Sequence, residues 1–228
     1  MIKQRTIKNT IKATGIGLHT GKKISLTLVP GLPNSGIVFR RVDLDPVIEI
    51  KACPENVGNT VLSTTLSDKG SQVSTVEHLM SAIAGLGIDN LNINIDAPEV
   101  PIMDGSAVVF VNEIQKQNLK ELSKKRKYLR VLKKVDLEDG EKKISIEKGN
   151  SSLEVQFNLN YKNKIINKQK NKIDFQNDDL EDVINSRTFC LYEDIEKIKK
   201  LGLAKGGSLE NALVVDKDKI LNKDGLRN

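Results

Sequence analysis

An α+β protein built as two similar halves is what the sequence predicts, and three observations predict it. Runs with period-two alternation of apolar and polar residues are gathered together, as in Lys23-Ile24-Ser25-Leu26-Thr27-Leu28. They give way to stretches whose apolar residues recur at helical spacing, as in Val76, Leu79, Met80 and Ile83. This order of strands then helices occurs twice, which argues against βαβ winding. Each half is then a β-sheet with helices: residues 1–120 as a first domain, 121–228 as a second, incomplete one.

The composition permits this and closes off other classes. With 228 residues, 38% of them hydrophobic, 29% charged and 4% aromatic, the chain can bury a core without staples. Collagen, disorder throughout and a membrane span are excluded, since no apolar run approaches roughly 18 residues. The two cysteines, Cys53 and Cys190, stand in no metal-ligand spacing and form no disulfide framework, which favours a reducing compartment. The start, Met1 to Thr6, carries no secretory signal, so a cytoplasmic location with no integral membrane segment is expected. A net charge of +6 rests on lysines interleaved with Asn, Ile and Asp, with little aromatic content for base stacking. Nucleic acid is therefore not expected as a partner, although the charge suits steering of an anionic sugar nucleotide. The oligomeric state is not legible.

Along the first half, strands are expected at Thr6–Ala13, Lys23–Leu28, Gly36–Arg41, Val47–Lys51 and Val61–Leu66, with a glycine turn at Gly15-Ile16-Gly17. A helix follows from Ser74, its stripe of Val76, Leu79, Met80, Ile83 and Ala84 closed by Gly85 and Gly87. The alternation Asn90–Asp96 is a strand. Pro98, Pro101 and Asp104-Gly105 make a rigid loop before a second helix near Ser106. Lys116–Lys127 has the composition of a helix end and a linker.

In the second half strands are expected at Tyr128–Leu137, Lys143–Glu147 and Leu153–Tyr161, a loop at Lys162–Lys172, and a helix over Asp178–Asn185. A strand at Arg187–Leu191, a helix at Glu193–Leu201 and a strand at Ala212–Asp216 come next, and the last residues, Leu221–Asn228, look like a strand and a turn. No counterpart of the first half's closing helix follows, so one face of the second sheet should lie uncovered, the mark of a fragment.

Three segments could carry chemistry. Ser74-Thr75-Val76-Glu77-His78 opens the clearest helix; its Ser74-x-x-Glu77 spacing is equally that of a capping box. With the apolar stripe on one side, His78 projects to the other beside Ser81, Ala82 and Gly85, a small-residue face suited to close packing. The positive end of the helix favours the Glu77 carboxylate and a neutral His78 imidazole, the form a metal requires. Thr14–Lys22 is neither a P-loop nor a dinucleotide fingerprint, because its glycine spacing differs and a strand follows. On its residues alone it is a glycine hairpin turn with His19 exposed.

Taken together, Gly15-Ile16-Gly17-Leu18-His19-Thr20-Gly21, Ser74-Thr75-Val76-Glu77-His78-Leu79 and Pro101-Ile102-Met103-Asp104-Gly105-Ser106 resemble the UDP-3-O-acyl-N-acetylglucosamine deacetylases of lipid A biosynthesis, the LpxC family. Arg187-Thr188-Phe189, Gly202–Ser208 and Leu221–Arg227 extend the resemblance over nearly the whole chain. It implies a zinc-dependent hydrolase, an amidase releasing acetate from a UDP-linked, 3-O-acylated glucosamine, with helices sandwiched between two sheets. It further implies that His78 is a Zn2+ ligand and that Glu77 is the general base acting on the metal's water. Thr188 becomes an oxyanion donor; otherwise it is an ordinary strand threonine. Residues 189–215 become an insert forming an apolar passage for the acyl chain.

Phe189 and Leu62 then lie near the sugar and the site, with His19, Gly207 and Ser208 as further substrate-binding residues. Cys190 and Leu191 belong to the passage or simply to the core. The resemblance also shows a departure. The family draws two more zinc ligands from a His-Lys-x-x-x-Asp helix and its general acid from a later histidine, whereas this chain has only His19 and His78. No Asp or Glu arrangement visibly replaces them. The expectation is a truncated deacetylase with an incomplete zinc site, inactive alone; the alternative is a non-catalytic, sugar-nucleotide-binding remnant.

Overall fold

The structure, a computed structural model, describes residues 2–149 and 153–226. Its centre is a five-stranded sheet of order β2-β3-β8-β4-β5, formed by β2 (Ile11–Ile16), β3 (Lys23–Pro30), β4 (Ile37–Arg41), β5 (Ile48–Lys51) and β8 (Leu91–Ile95). Neighbours are antiparallel except β4 and β8, which run parallel. Alternation does its work: Ile24, Leu26 and Leu28 on β3 and Leu91, Ile93 and Ile95 on β8 face one side and are buried. The register sets Leu26 against Ile95 and Leu28 against Ile93.

That face is covered by two helices, α1 (Glu77–Gly85) and α2 (Val108–Lys116). Leu79, Ala82 and Ile83 from α1 and Phe110, Val111 and Ile114 from α2 complete one core with the sheet. Each of the leucine, isoleucine, valine and phenylalanine side chains contributes roughly 1.5–3 kcal/mol on burial. The end of α1 is a Schellman turn: Gly87 has φ +66°, its amide donates to Ala84 O, and Ile88 N donates to Ile83 O, both at 3.0 Å. The expected stripe is buried apart from half-buried Met80 and exposed Ala84. On the opposite face only Ala82 is packed, with Ser81 and Gly85 exposed.

Several segments differ from their sequence reading. Thr6–Ala13 is not one strand: β1 (Lys3–Ile7) leaves the sheet and pairs with β9 (Leu119–Lys125), while β2 begins anew at Ile11. Its partner β9 lies inside the segment read as a linker, whose many lysines suit an exposed edge and whose pairing to β1 overrides composition. Val61–Leu66 is a loop rather than a strand, because the Val61 amide turns back to Asn59 Oδ1 and Leu62 sits at φ +56°. It leads into a tight hairpin of β6 (Leu66–Asp68) and β7 (Ser71–Val73), with Lys69 and Gly70 both at positive φ. Finally, the second part of the Lys/Asn-rich loop is the start of β13 (Lys168–Asp174), recruited by seven-residue pairing with β12 (Glu154–Asn160).

The remaining elements are β10 (Val135–Asp139) paired with β11 (Lys142–Ile146), and β14 (Phe189–Leu191) parallel to β15 (Leu213–Val215). The strand read over Tyr128–Leu137 therefore begins only at Val135. Two short helices are present, α3 (Glu181–Asn185) and α4 (Ile195–Lys200). Where a terminal strand was expected, only an isolated bridge joins Val215 and Ile220; residues 227 and 228 lie outside the described residues. The whole is an α+β fold of several sheets and few helices.

Candidate functional site

Entry to α1 is built from backbone. Ser74 N donates to Pro98 O at 2.9 Å and Val100 N to Ser74 O at 3.0 Å, a short parallel bridge that pins the chain before the helix. Thr75 then takes a left-handed φ of +57°. The capping box does not form: the Ser74 hydroxyl donates to Pro98 O at 3.2 Å, and the Glu77 carboxylate accepts the Thr64 amide at 3.0 Å. Freed from capping, Glu77 faces the loop that carries Leu62. Beside it His78 is half-buried, and desolvation holds its imidazole below the ordinary 6.5, opposed by the charges of Glu77 and Asp104. The ring is neutral at pH 7, as expected, but burial is the dominant cause.

A second locus forms where the two halves meet. Gly15 lies under Pro101 and Met103, where a Cβ would stand 2.8 Å from Pro101 Cβ. The following loop receives hydrogen bonds from Gly206 N to Leu18 O at 3.0 Å and from Lys205 N to His19 O at 3.3 Å. Between these loops opens a cavity of about 310 Å³. Leu18, His19 and Leu62 line it from the first half. Thr188, Phe189, Cys190, Gly207 and Ser208 line it from the second, with Ile195, Ile198 and Lys199 of α4.

His19, read as exposed on its residues alone, is buried, because the loop folds under the 204–207 segment. Its Nδ1 accepts the Ala204 amide at 3.4 Å, which leaves Nε2 protonated and donating to Leu62 O at 3.2 Å. The Phe189 ring meets Tyr161 edge-on at 5.7 Å. Burial pushes the Cys190 thiol up, with the charge of Asp194 adding to it. Thr188 is fixed through its backbone, donating to Gly105 O at 2.8 Å and accepting from Leu213 N at 2.9 Å. Arg187, its side chain 1% exposed, donates to Asp104 O at 3.0 Å and Leu209 O at 3.1 Å, lacing the two halves together.

The structure thus gathers His19, Leu62, Thr188, Phe189, Cys190, Gly207 and Ser208 around one cavity. Glu77, His78 and Leu191 are not among its lining; Glu77 reaches its rim only through Thr64, two residues beyond Leu62. Sequence reading placed a helix and the passage insert over the α4 segment but singled out neither Leu18 nor the α4 residues Ile195 and Ile198, whose helical spacing could have signalled them. Among the described residues no group of three His, Cys, Asp or Glu side chains is placed to hold a metal ion. His78, alone with two carboxylates acting on it, does not make a closed zinc site.

The fold is thus an α+β scaffold with a mostly apolar cavity lined from both parts of the chain, and with a helix-borne Glu-His pair tied through Thr64 to the loop that carries Leu62. The sequence profile of UDP-3-O-acyl N-acetylglycosamine deacetylase, LpxC, matches residues 4–228, and the chain belongs to this family. It is 48% identical over its whole length to the UDP-3-O-acyl-N-acetylglucosamine deacetylase of Marinobacter nauticus, of which it covers 75%. Proteins of the same name from Saccharophagus degradans and Teredinibacter turnerae are each 50% identical over the whole chain, which spans 76% of each. No helix among the described residues is long and apolar enough to cross a membrane.

Proposed function

We propose that this chain is the substrate-holding part of a deacetylase that releases acetate from UDP-3-O-acyl-N-acetylglucosamine in lipid A biosynthesis. The observation that carries this reading is the cavity, which Thr188 and Phe189 from one part of the chain line together with His19 and Leu62 from the other. An apolar lining from Leu18, Leu62, Phe189, Ile195 and Ile198 suits an acyl chain, while His19, Gly207 and Ser208 offer polar groups to the sugar nucleotide. Glu77 acts as general base for the attacking water, and Thr188 donates to the oxyanion, a contribution of about 3 kcal/mol for one such donor.

Zinc is the metal this chemistry implies, with His78 as one ligand. The described residues supply no further pair, so the chain by itself binds zinc weakly and lacks turnover. Two units, residues 1–120 and 121–228, with a passage insert at about 189–215, divide the labour between the Glu-His pair and the acyl chain. The free thiols Cys53 and Cys190 favour a cytoplasmic setting.

Calorimetry of the 228-residue chain with UDP-3-O-acyl-N-acetylglucosamine tests the reading. Saturable binding that weakens about tenfold in Phe189→Ala supports it, each tenfold being about 1.4 kcal/mol. A folded chain that does not bind the acylated sugar nucleotide overturns it. Acetate release by the chain with added zinc would overturn the incomplete-site part alone.

A further inference from the structure

Glu99 is wholly buried, between Pro98 and Val100, yet it is not part of the lining of the cavity described above and takes no part in the proposed chemistry. Its carboxylate collects three donors from two distant segments. Oε1 accepts the His19 amide at 2.7 Å and the Thr75 hydroxyl at 3.3 Å, and Oε2 accepts the Thr20 amide at 2.8 Å. Gly17 makes room for it: a Cβ there would overlap both Oε2 and the Thr20 hydroxyl. The backbone of Glu99 is also bridged to Ser74, at the entry to α1. One carboxylate therefore holds the cavity's His19 on one side and, two residues before Glu77, the left-handed turn at Thr75 on the other.

We propose that Glu99 is a positioning residue that fixes the His19 ring on the cavity wall and keeps the cavity in register with the Glu77-His78 pair. It acts through His19 and Thr75 and touches no substrate. Without two acceptor oxygens at this point, the His19 and Thr20 amides cannot both be satisfied. The loop then relaxes, and the ring loses its paired contacts to Leu62 O and Ala204 N. Glutamine is the informative replacement: near-identical in shape, it presents an NH2 group where the carboxylate offered an acceptor, so one amide faces a donor.

The experiment is nitrogen-15 NMR of the 228-residue chain, following the His19 and Thr20 amides and the His19 ring nitrogens, with acylated UDP-sugar binding measured in parallel. The wild-type ring is expected in the Nε2-protonated form. In Glu99→Gln both amides should shift, the ring should exchange between tautomers, and affinity should fall about tenfold or more. A folded Glu99→Gln chain with unchanged His19 ring signals overturns the proposal.

Should that variant fail to fold, Gly17→Ala presses on the same carboxylate without removing it, and unchanged His19 signals there overturn the proposal equally. The affinity arm rests on the proposed substrate, whereas the NMR arm does not. A wild-type chain that ignores the acylated sugar nucleotide defeats the functional reading and leaves Glu99 to be judged by the ring.

Discussion

Residues 7–114 and residues 128–175 contain strands of similar pattern, but their apolar side chains meet different fates. Ile93 on β8 is 0% exposed, whereas Leu137 on β10 is 67% and Ile144 on β11 is 68% exposed. The buried cluster is drawn wholly from residues 7 to 114, with Ile184 as the latest residue packed against it. Beyond, β10 and β11 are exposed at every position, and β12 at all but Leu159. Alternation and pairing are enough to make a hairpin; burial needs a second layer, which α1 and α2 supply to the first sheet. The uncovered apolar face expected in the second half is present on these hairpins. Within residues 187–222, Arg187, Leu213–Val215 and Asn222 follow the first region and are buried, whereas Tyr192 and Leu201 stay exposed.

The contrast is sharpest at the core. Leu79→Ala, in the fully buried face of α1, should destabilise the chain by about 3–4 kcal/mol, measured by urea denaturation. A loss under about 1 kcal/mol would mean that the first region is no better packed than the hairpins.

Next in size is Arg187→Met, which strips a hydrogen bond across the seam from Asp104 O and one within the second half from Leu209 O. About 2–3 kcal/mol should be lost, since two carbonyls forfeit a charged donor. Hydrogen exchange should quicken over residues 205–222 while the amides of β3 and β8 keep their protection. Equal quickening everywhere would show that the two regions open as one.

A smaller effect is tied to pH. Folded His78 holds its proton less tightly than the unfolded ring, whose ordinary value is 6.5. Below that pH the unfolded chain takes up more protons, so stability is complete above about 6.5 and declines as pH falls toward the folded value. His78→Gln should flatten the stability profile between neutral pH and mildly acidic pH. An unchanged slope would place the ring in water rather than against the protein.

How much of this was legible follows from the range of the forces involved. The α1 stripe, its Gly87 ending and the β8 alternation are local signals, and they appear where the sequence puts them. β9 and β13 are not local, because their lysine-rich, polar sequences become strand only by pairing with β1 and β12. The cavity residues came from motif resemblance, and the fold brings His19 and Ser208 together across 189 positions of chain. Glu99 gave no signal at all. A lone glutamate between proline and valine looks like loop surface until three donors from elsewhere close over it.

The smallest effect tests the exposed side of the comparison. Leu137 and Ile144 face each other across the β10–β11 ladder, as do Val135 and Ile146, making one apolar strip on an open hairpin. Replacing Leu137 and Ile144 together by threonine puts β-branched, strand-compatible side chains at both positions and removes little buried area. A cross-strand pair of this kind contributes about 0.2–1 kcal/mol, so the double variant should unfold within about 1 kcal/mol of wild type. Self-association, followed by light scattering against concentration, should fall as the strip becomes polar. If the double variant instead lost as much stability as Leu79→Ala, these side chains would be buried in solution against something that supports folding. The two regions would then differ in what covers them rather than in whether they are covered.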